Sequence, residues 1–212
     1  MSSGTPKDWK PSAAPPDPLA ASRLEEWVRG GCEGGLDAVA LDFSGADLSG
    51  GDFSESWFTE SRMVNSRLVG CDLYRSDAEG ADFTGADLTD ADLVRVNFDE
   101  AVLRDAILDR ANLVKASLYG VDASGAKFRG TRFLGASLLS VDLCGADLSG
   151  SVLEENSFKV KLDDRTIMRG TSGSVFGPVE LLSEGATHVL GGAELERWIE
   201  DRGGSVQVIH RA

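Results

Sequence analysis

Every fifth residue from Phe43 to Phe158 is Phe, Leu, Met or Ala, in unbroken phase over 24 positions. Eight are Phe and 13 are Leu; the others are Met63, Ala78 and Ala123. The residue two places earlier is small almost every time, as at Ala46, Ala81, Ala86, Ala91, Ala101 and Ala106. A helix repeats at about 3.6 residues and a strand at 2, and heptads are absent. A period of five therefore belongs to a chain that turns a corner once per unit. Each unit, such as Ala86-Asp87-Leu88-Thr89-Asp90, points one small and one large side chain inward and three outward. Four units close a coil of 20 residues, so 24 units make six stacked coils.

Fixed-period self-similarity marks a solenoid, in which each coil buries its interior against the next. Pairing between coils at about 4.8 Å predicts a rod roughly 24–29 Å long. The last place of the unit is Gly in 11 of 24 cases, as suits the positive φ of a type II turn. The run of A-(D/N)-L-x-x units over residues 41–160 resembles the pentapeptide-repeat proteins. The resemblance implies an all-β fold, a right-handed quadrilateral β-helix of about six coils; the handedness comes from the family alone.

Different patterns flank the repeat. Residues 1–18 hold five of the six prolines and read as a disordered leader. Residues 19–40 are expected to form a helical cap and linker. Ser22-Arg23-Leu24-Glu25 reads as a capping box, Leu24, Trp27 and Val28 share a face, and Gly30-Gly31 stops the helix. After Phe158 the phase fails, since Asp163 falls where Leu is due. Residues 161–212 read as a small α+β cap. Its expected parts are a hairpin of Val179–Leu182 with Thr187–Leu190, a helix over Ala193–Arg202 and a strand at Val206–Ile209.

Charge and composition narrow the function. The net charge is −14, which excludes general binding to nucleic-acid phosphates. Residues 41–160 hold 21 acids and 11 bases, so the acidity belongs to the rod. No apolar run approaches a membrane span and no signal-peptide core is present. Cys32, Cys71 and Cys144 have no metal spacing, and Cys71 faces inward while Cys144 faces outward. No disulfide is expected, which suits a reducing cytoplasm.

Catalytic chemistry finds little support. The two histidines, His188 and His210, belong to no metal or nucleophile motif. The carboxylates follow the repeat rule, and a smooth rod offers no cleft to split their pKa values. The expectation is a protein that is not an enzyme, with no cofactor and no metal; an enzyme or metal protein, dependent on His188, is the last alternative.

Residues 20 apart stack in outward ladders. One reads Tyr74, Val94, Val114, Leu134; beside it runs Arg75, Arg95, Lys115; the next side adds Tyr119 and Leu139. Contiguous exposed apolar surface marks an interface, and stacked like charges repel by roughly 1 kcal/mol, so this edge is a candidate contact surface for self-association or a partner. The bland alternative is that Tyr and Val simply suit a β surface. Acidic ladders include Asp42, Asp82, Asp122, Asp142 and Asp47, Asp87, Asp147, interrupted by Arg62, Arg67 and Lys127.

The best-known relatives protect DNA gyrase by presenting an acidic, duplex-shaped rod, and they dimerise through their C-terminal segments. The resemblance therefore implies a homodimer, and a DNA-mimic binder of gyrase or topoisomerase IV that gives antibiotic protection is one reading. This chain is shorter and its acidic ladders are broken by cations. A non-catalytic scaffold that binds a protein partner through its outer faces is the leading reading.

Overall fold

A computed structural model describes residues 9–209. The repeat is a curled sheet of parallel bridges between residues 20 apart, including Asp42 with Arg62, Arg62 with Asp82 and Asp82 with Val102. The large inward residue donates its N–H to the next coil, as Phe83 does to the Val102 carbonyl at 2.7 Å. Each corner is a four-residue turn: Ala46 N–H donates to the Phe43 carbonyl at 3.0 Å, with Gly45 at φ 73. Positive φ at that place alone defines a type II turn. All 24 inward residues at this place from Phe43 to Phe158, Ala78 and Ala123 included, are buried. Aromatic rings in the core meet edge-on, as with Phe83 and Phe98 (centroids 5.4 Å apart, planes at 86°).

The coil begins one unit earlier than expected. Asp37 bridges Trp57, and Leu36 and Ala38 are fully buried. Upstream, residues 1–8 of the expected disordered leader lie outside the described residues. Residues 9–17 depart from that expectation, because they satisfy an edge that would otherwise be open. Asp47 N–H donates to the Ala13 carbonyl at 2.9 Å, and the Trp9 indole N–H donates to the Ser49 carbonyl at 3.0 Å.

Helix α1 spans Pro18–Arg29. Its N-cap is Asp17, whose side chain accepts from Ala20 N–H at 2.8 Å, and Pro18 occupies the first turn. Ser22–Glu25 therefore lies inside the helix rather than at its start; a proline that needs no donor and an Asp before it form the better start. Ala20 and Leu24 are buried, and Gly30 follows the last helical residue.

Toward the C-terminus the ladder lengthens into strands: β1 (Arg132–Leu134), β2 (Ser137–Asp142), β3 (Val152–Asp163), β4 (Ser172–Phe176), β5 (Val179–Ser183), β6 (Ala186–Leu190) and β7 (Ser205–Val208), with α2 at Gly192–Glu200. The sheet runs β6-β5-β3-β4-β7, and β1 and β2 also pair with β3.

The break at Asp163 is a local slip, not the end of the coil. Leu139 pairs with Lys159, but Val141 pairs with Val160, so one residue is skipped. Leu162 then takes the buried inward place. The Asp163 carboxylate accepts from Gly145 N–H at 2.8 Å, filling a rung that a backbone carbonyl serves in earlier coils, as Cys144 does for Gly125. By Ile167 the 20-residue register has returned, and Met168 is again buried in phase. Residues beyond 160 thus continue the coil through β4 and β5, both parallel to β3. Strand β6 pairs antiparallel with β5 across Glu184-Gly185. Helix α2 buries Leu195 and Ile199, and β7 joins β4 in parallel.

Candidate protein-binding face

The acidic ladders have a local structural role first. In the unit, the outward Asp before the large residue receives the backbone N–H two residues on: Asp42 from Ser44 at 2.9 Å, Asp82 from Thr84 at 3.0 Å, Asp87 from Thr89 at 3.1 Å and Asp142 from Cys144 at 2.9 Å. Asp47, Asp122 and Asp147 do the same and also bind a serine hydroxyl. This is the Asx-turn geometry that favours Asp in turns, and it occupies one oxygen of each carboxylate.

The other oxygen is often neutralised within the rod. Arg62 lies 3.4 Å from Asp42 and 4.0 Å from Asp82. Arg67 lies 3.5 Å from Asp47 and 3.7 Å from Asp87, and Arg104 pairs with Asp122 at 2.6 Å. The Ser49 hydroxyl, ahead of Arg67, holds the Asp47 carboxyl below the usual range. At Asp122 burial pushes upward most, but the Ser124 hydroxyl and Arg104 together outweigh it and the net direction is down.

A different side carries the apolar ladder. Arg75 N–H donates to the Val94 carbonyl, Arg95 N–H to that of Val114 and Lys115 N–H to that of Leu134, at 3.0, 3.0 and 2.9 Å. Tyr74, Val94, Val114 and Leu134 are therefore successive rungs, partly buried except for the exposed Leu134. The Arg75 guanidinium leans over the Tyr74 ring, 5.4 Å from its centroid, which brings this corner cation onto the apolar column.

Cation pairing separates the sides. Arg62, Arg67, Arg104, Arg110 and Arg129 each have a carboxylate within 4.0 Å. Arg75, Arg95, Lys115 and Arg132 pair with none among the described residues, and all four border the apolar column; Lys127 and Lys159 are the other unpaired repeat cations among the described residues.

The opposite border of that column is anionic over its first three rungs: Asp52, Asp72 and Asp92 are bridged rung to rung, and Asn112 and Arg132 continue the ladder. Burial raises the Asp72 carboxyl above its ordinary value, reinforced by the charges of Asp52 and Asp92. The face thus has an acidic column, an apolar column and a cationic column. Sorting residues at intervals of 20 exposes this acidic column, but only when all outward places are sorted together.

Tyr119 and Leu139 are neighbouring rungs, since Gly120 N–H donates to the Leu139 carbonyl at 2.9 Å. They lie beyond the corner of Arg75, Arg95 and Lys115, on a side that also carries Glu79 and Asp99 and has no Lys or Arg from residue 56 to residue 140. The structure therefore separates them from the striped face: the five-residue corner, not adjacency in sequence, decides which residues share a side.

Cys71 is buried and Cys144 partly exposed, and both are free thiols; burial above all pushes the Cys71 thiol up to about 12. No group of three His, Cys, Asp or Glu among the described residues is placed to hold a metal ion. His188 lies on the exposed strand β6, and His210 is outside the described residues. No described helix is long and apolar enough to cross a membrane.

Comparison with known proteins adds the lineage. The family described as "Pentapeptide repeats (8 copies)" matches residues 40–73, 66–105 and 97–135. No curated protein matches the chain. Among solved structures, HetL of the cyanobacterium Nostoc, a pentapeptide repeat protein involved in heterocyst differentiation regulation, is 25% identical with a TM-score of 0.52, covering 67% of this chain and 73% of HetL. A pentapeptide repeat protein of the Arabidopsis thaliana thylakoid lumen is 30% identical with a TM-score of 0.33, over 50% of this chain and 68% of that one. A trypsin-treated variant of QnrB1, a plasmid-mediated fluoroquinolone resistance protein, is 20% identical with a TM-score of 0.38, over 68% of this chain and 72% of that one. With its unbroken five-residue period and 20-residue register, the chain belongs to the pentapeptide-repeat family.

Proposed function

We propose that the chain is a non-catalytic protein-binding scaffold that works through the striped face. In this reading it is a right-handed quadrilateral β-helix, closed by α1 at one end and by the β5–β6 hairpin, α2 and β7 at the other. The observation that carries it is the set of cations beside the Tyr74–Leu134 column. Elsewhere in the repeat arginines sit within 4.0 Å of carboxylates, whereas Arg75, Arg95, Lys115 and Arg132 have no such partner among the described residues. Unpaired cations along an apolar column supply what an interface needs, a hydrophobic centre with a polar rim. The test is Val94→Asp with Val114→Asp. The reading expects loss of association with self or partner in a folded protein; unchanged oligomeric state and unchanged partner binding would sink it.

A second reading, an acidic mimic of duplex DNA aimed at gyrase or topoisomerase IV, draws on the −14 charge and on the cation-free side of Glu79 and Asp99. The ladders of Asp42 and Asp47 serve it less well, because Arg62 and Arg67 neutralise them in place. A gyrase supercoiling titration with and without a fluoroquinolone, at two salt concentrations, decides it: salt-sensitive inhibition or rescue supports mimicry, and no effect at micromolar protein removes it.

A further inference from the structure

The geometry points to a second copy of this chain as the occupant of the striped face, packed side by side with its coil axis parallel to the first. This deepens the binding-face reading and rests on it. The argument is one of symmetry. Across the face the columns run acidic (Asp72, Asp92), apolar (Tyr74, Val94, Val114, Leu134) and cationic (Arg75, Arg95, Lys115). A two-fold axis parallel to the coil axis reverses left and right but keeps height. It sets each acidic column against the cationic column of the other copy, and each apolar rung against its own copy.

The rungs then match level by level. Asp72 meets Arg75 and Asp92 meets Arg95 of the second copy, and Asn112 meets Lys115, each twice by symmetry. At the first rung Asp52 meets Glu55, so the complementary stretch starts one coil in. A two-fold axis across the rod does the opposite. It keeps left and right and inverts height, which lays Arg75 on Lys115 and Arg95 on Arg95. Like charges in register disfavour that arrangement. The parallel arrangement also supplies counter-charges to Arg75 and Arg95, which find none among the described residues of their own chain.

The experiment is sedimentation equilibrium on the full chain and two charge-reversed variants, Arg75→Glu with Arg95→Glu and Asp72→Arg with Asp92→Arg. Each replacement already occurs at the equivalent place of another unit: Glu55, Glu60 and Glu100 hold the same positive φ as Arg75, and Arg62 and Arg67 hold the place of Asp72. The natural chain is expected to pass from monomer to dimer with rising concentration, and less readily at high salt. Each variant alone is expected to stay monomeric, and their equimolar mixture to dimerise again.

Orientation, and the case of a poorly folding variant, are covered by crosslinking. In a Cys32→Ser, Cys144→Ser background, Tyr74→Cys and Leu134→Cys are each expected to crosslink to their own copies. A chain that stays monomeric at every concentration, a mixture that fails to reassociate, or a Tyr74→Cys crosslink formed only with a Val114→Cys chain overturns the proposal. The broader reading fails separately. If the chain is monomeric but Val94→Asp with Val114→Asp abolishes binding of another protein, the face survives as an interface and only the second copy is lost.

Discussion

Trp27 lies flat against Phe53, with ring centroids 5.3 Å apart and planes at 21°. Trp9 meets both rings edge-on, at 6.2 and 5.4 Å. Phe53 belongs to the first coil and has no coil above it, so these two indoles take the place of the missing neighbour. Trp27→Ala is expected to destabilise the fold by about 2 kcal/mol, below the cost of a fully buried ring because Trp27 is only partly buried. The urea midpoint measures it, and an unchanged midpoint would mean the N-terminal segment adds nothing to the coil.

Asp72 gives a pH signature. Its carboxyl is raised by burial first and by Asp52 and Asp92 next. A raised folded-state value means the folded chain favours the protonated acid, so the contribution is present at low pH and is lost as pH rises through that value. Asp72→Asn keeps an acceptor for Tyr74 N–H, as Asn97 does for Asp99 N–H at 3.0 Å. The variant is expected to be more stable at pH 7, by under about 1 kcal/mol because the site is partly exposed. The gain should shrink toward pH 3. An equal gain at both pH values would place its origin elsewhere.

Asp47 and Asp122 work in the opposite sense. Both are lowered in the folded state, so their stabilisation is present above the ordinary carboxylate range and is lost as pH falls through the folded values. Acid unfolding of Asp47→Asn with Asp122→Asn is expected to show a shallower loss of stability below about pH 4 than the parent. Identical acid limbs would show that these two groups are not linked to folding.

Asn156 fills an inward place that Ala116 and Ala136 hold in the two coils before it. It is fully buried, and neither its amide nitrogen nor its oxygen has a hydrogen-bond partner among the described residues. Asn156→Ala is expected to stabilise by about 1 kcal/mol, since the desolvation cost of two orphaned polar atoms disappears. A loss of stability in denaturant titration would reveal that a buried water serves the amide.

Gly173 is fixed by close approach. A Cβ there would stand 1.7 Å from the Leu153 carbonyl oxygen, and its φ is 119. Gly173→Ala is expected to cost more than about 2 kcal/mol and to loosen β4 from β3. Hydrogen exchange along Ser172–Phe176 reads this out, and unaltered protection would contradict it.

The inward pattern was legible because burial tolerates few residue types: Leu88, Phe98 and Leu108 announce themselves at fixed spacing. The corner glycines were legible because positive φ favours them, although Glu55, Arg75 and Glu100 hold the same conformation at other corners. What the sequence concealed is sequence-local in a different way. Asp17-Pro18 starts α1, while Ser22 and Glu25 mimic the start a few residues later. Leu162 can take the place of Asp163 only because a one-residue slip is repaired by a carboxylate acting as a carbonyl, which no periodicity reveals. On the surface, the ladders were visible but their electrostatics were not. Arg62 and Arg75 look alike in sequence, yet one bridges two coils and the other leans over a tyrosine.

The corner turns have one more consequence. Residues 20 apart are bridged, so four units return the chain to the same ladder and a single unit shifts it by one corner. Inserting a single five-residue unit between Val94 and Val114, in phase with the core, would leave every buried contact type intact. It would nevertheless carry Val114, Lys115 and Leu134 to the adjoining side, away from Tyr74 and Val94. Gain or loss of one unit therefore acts as a dial: the interior is indifferent to it, while the chemistry displayed on each side is dealt out anew.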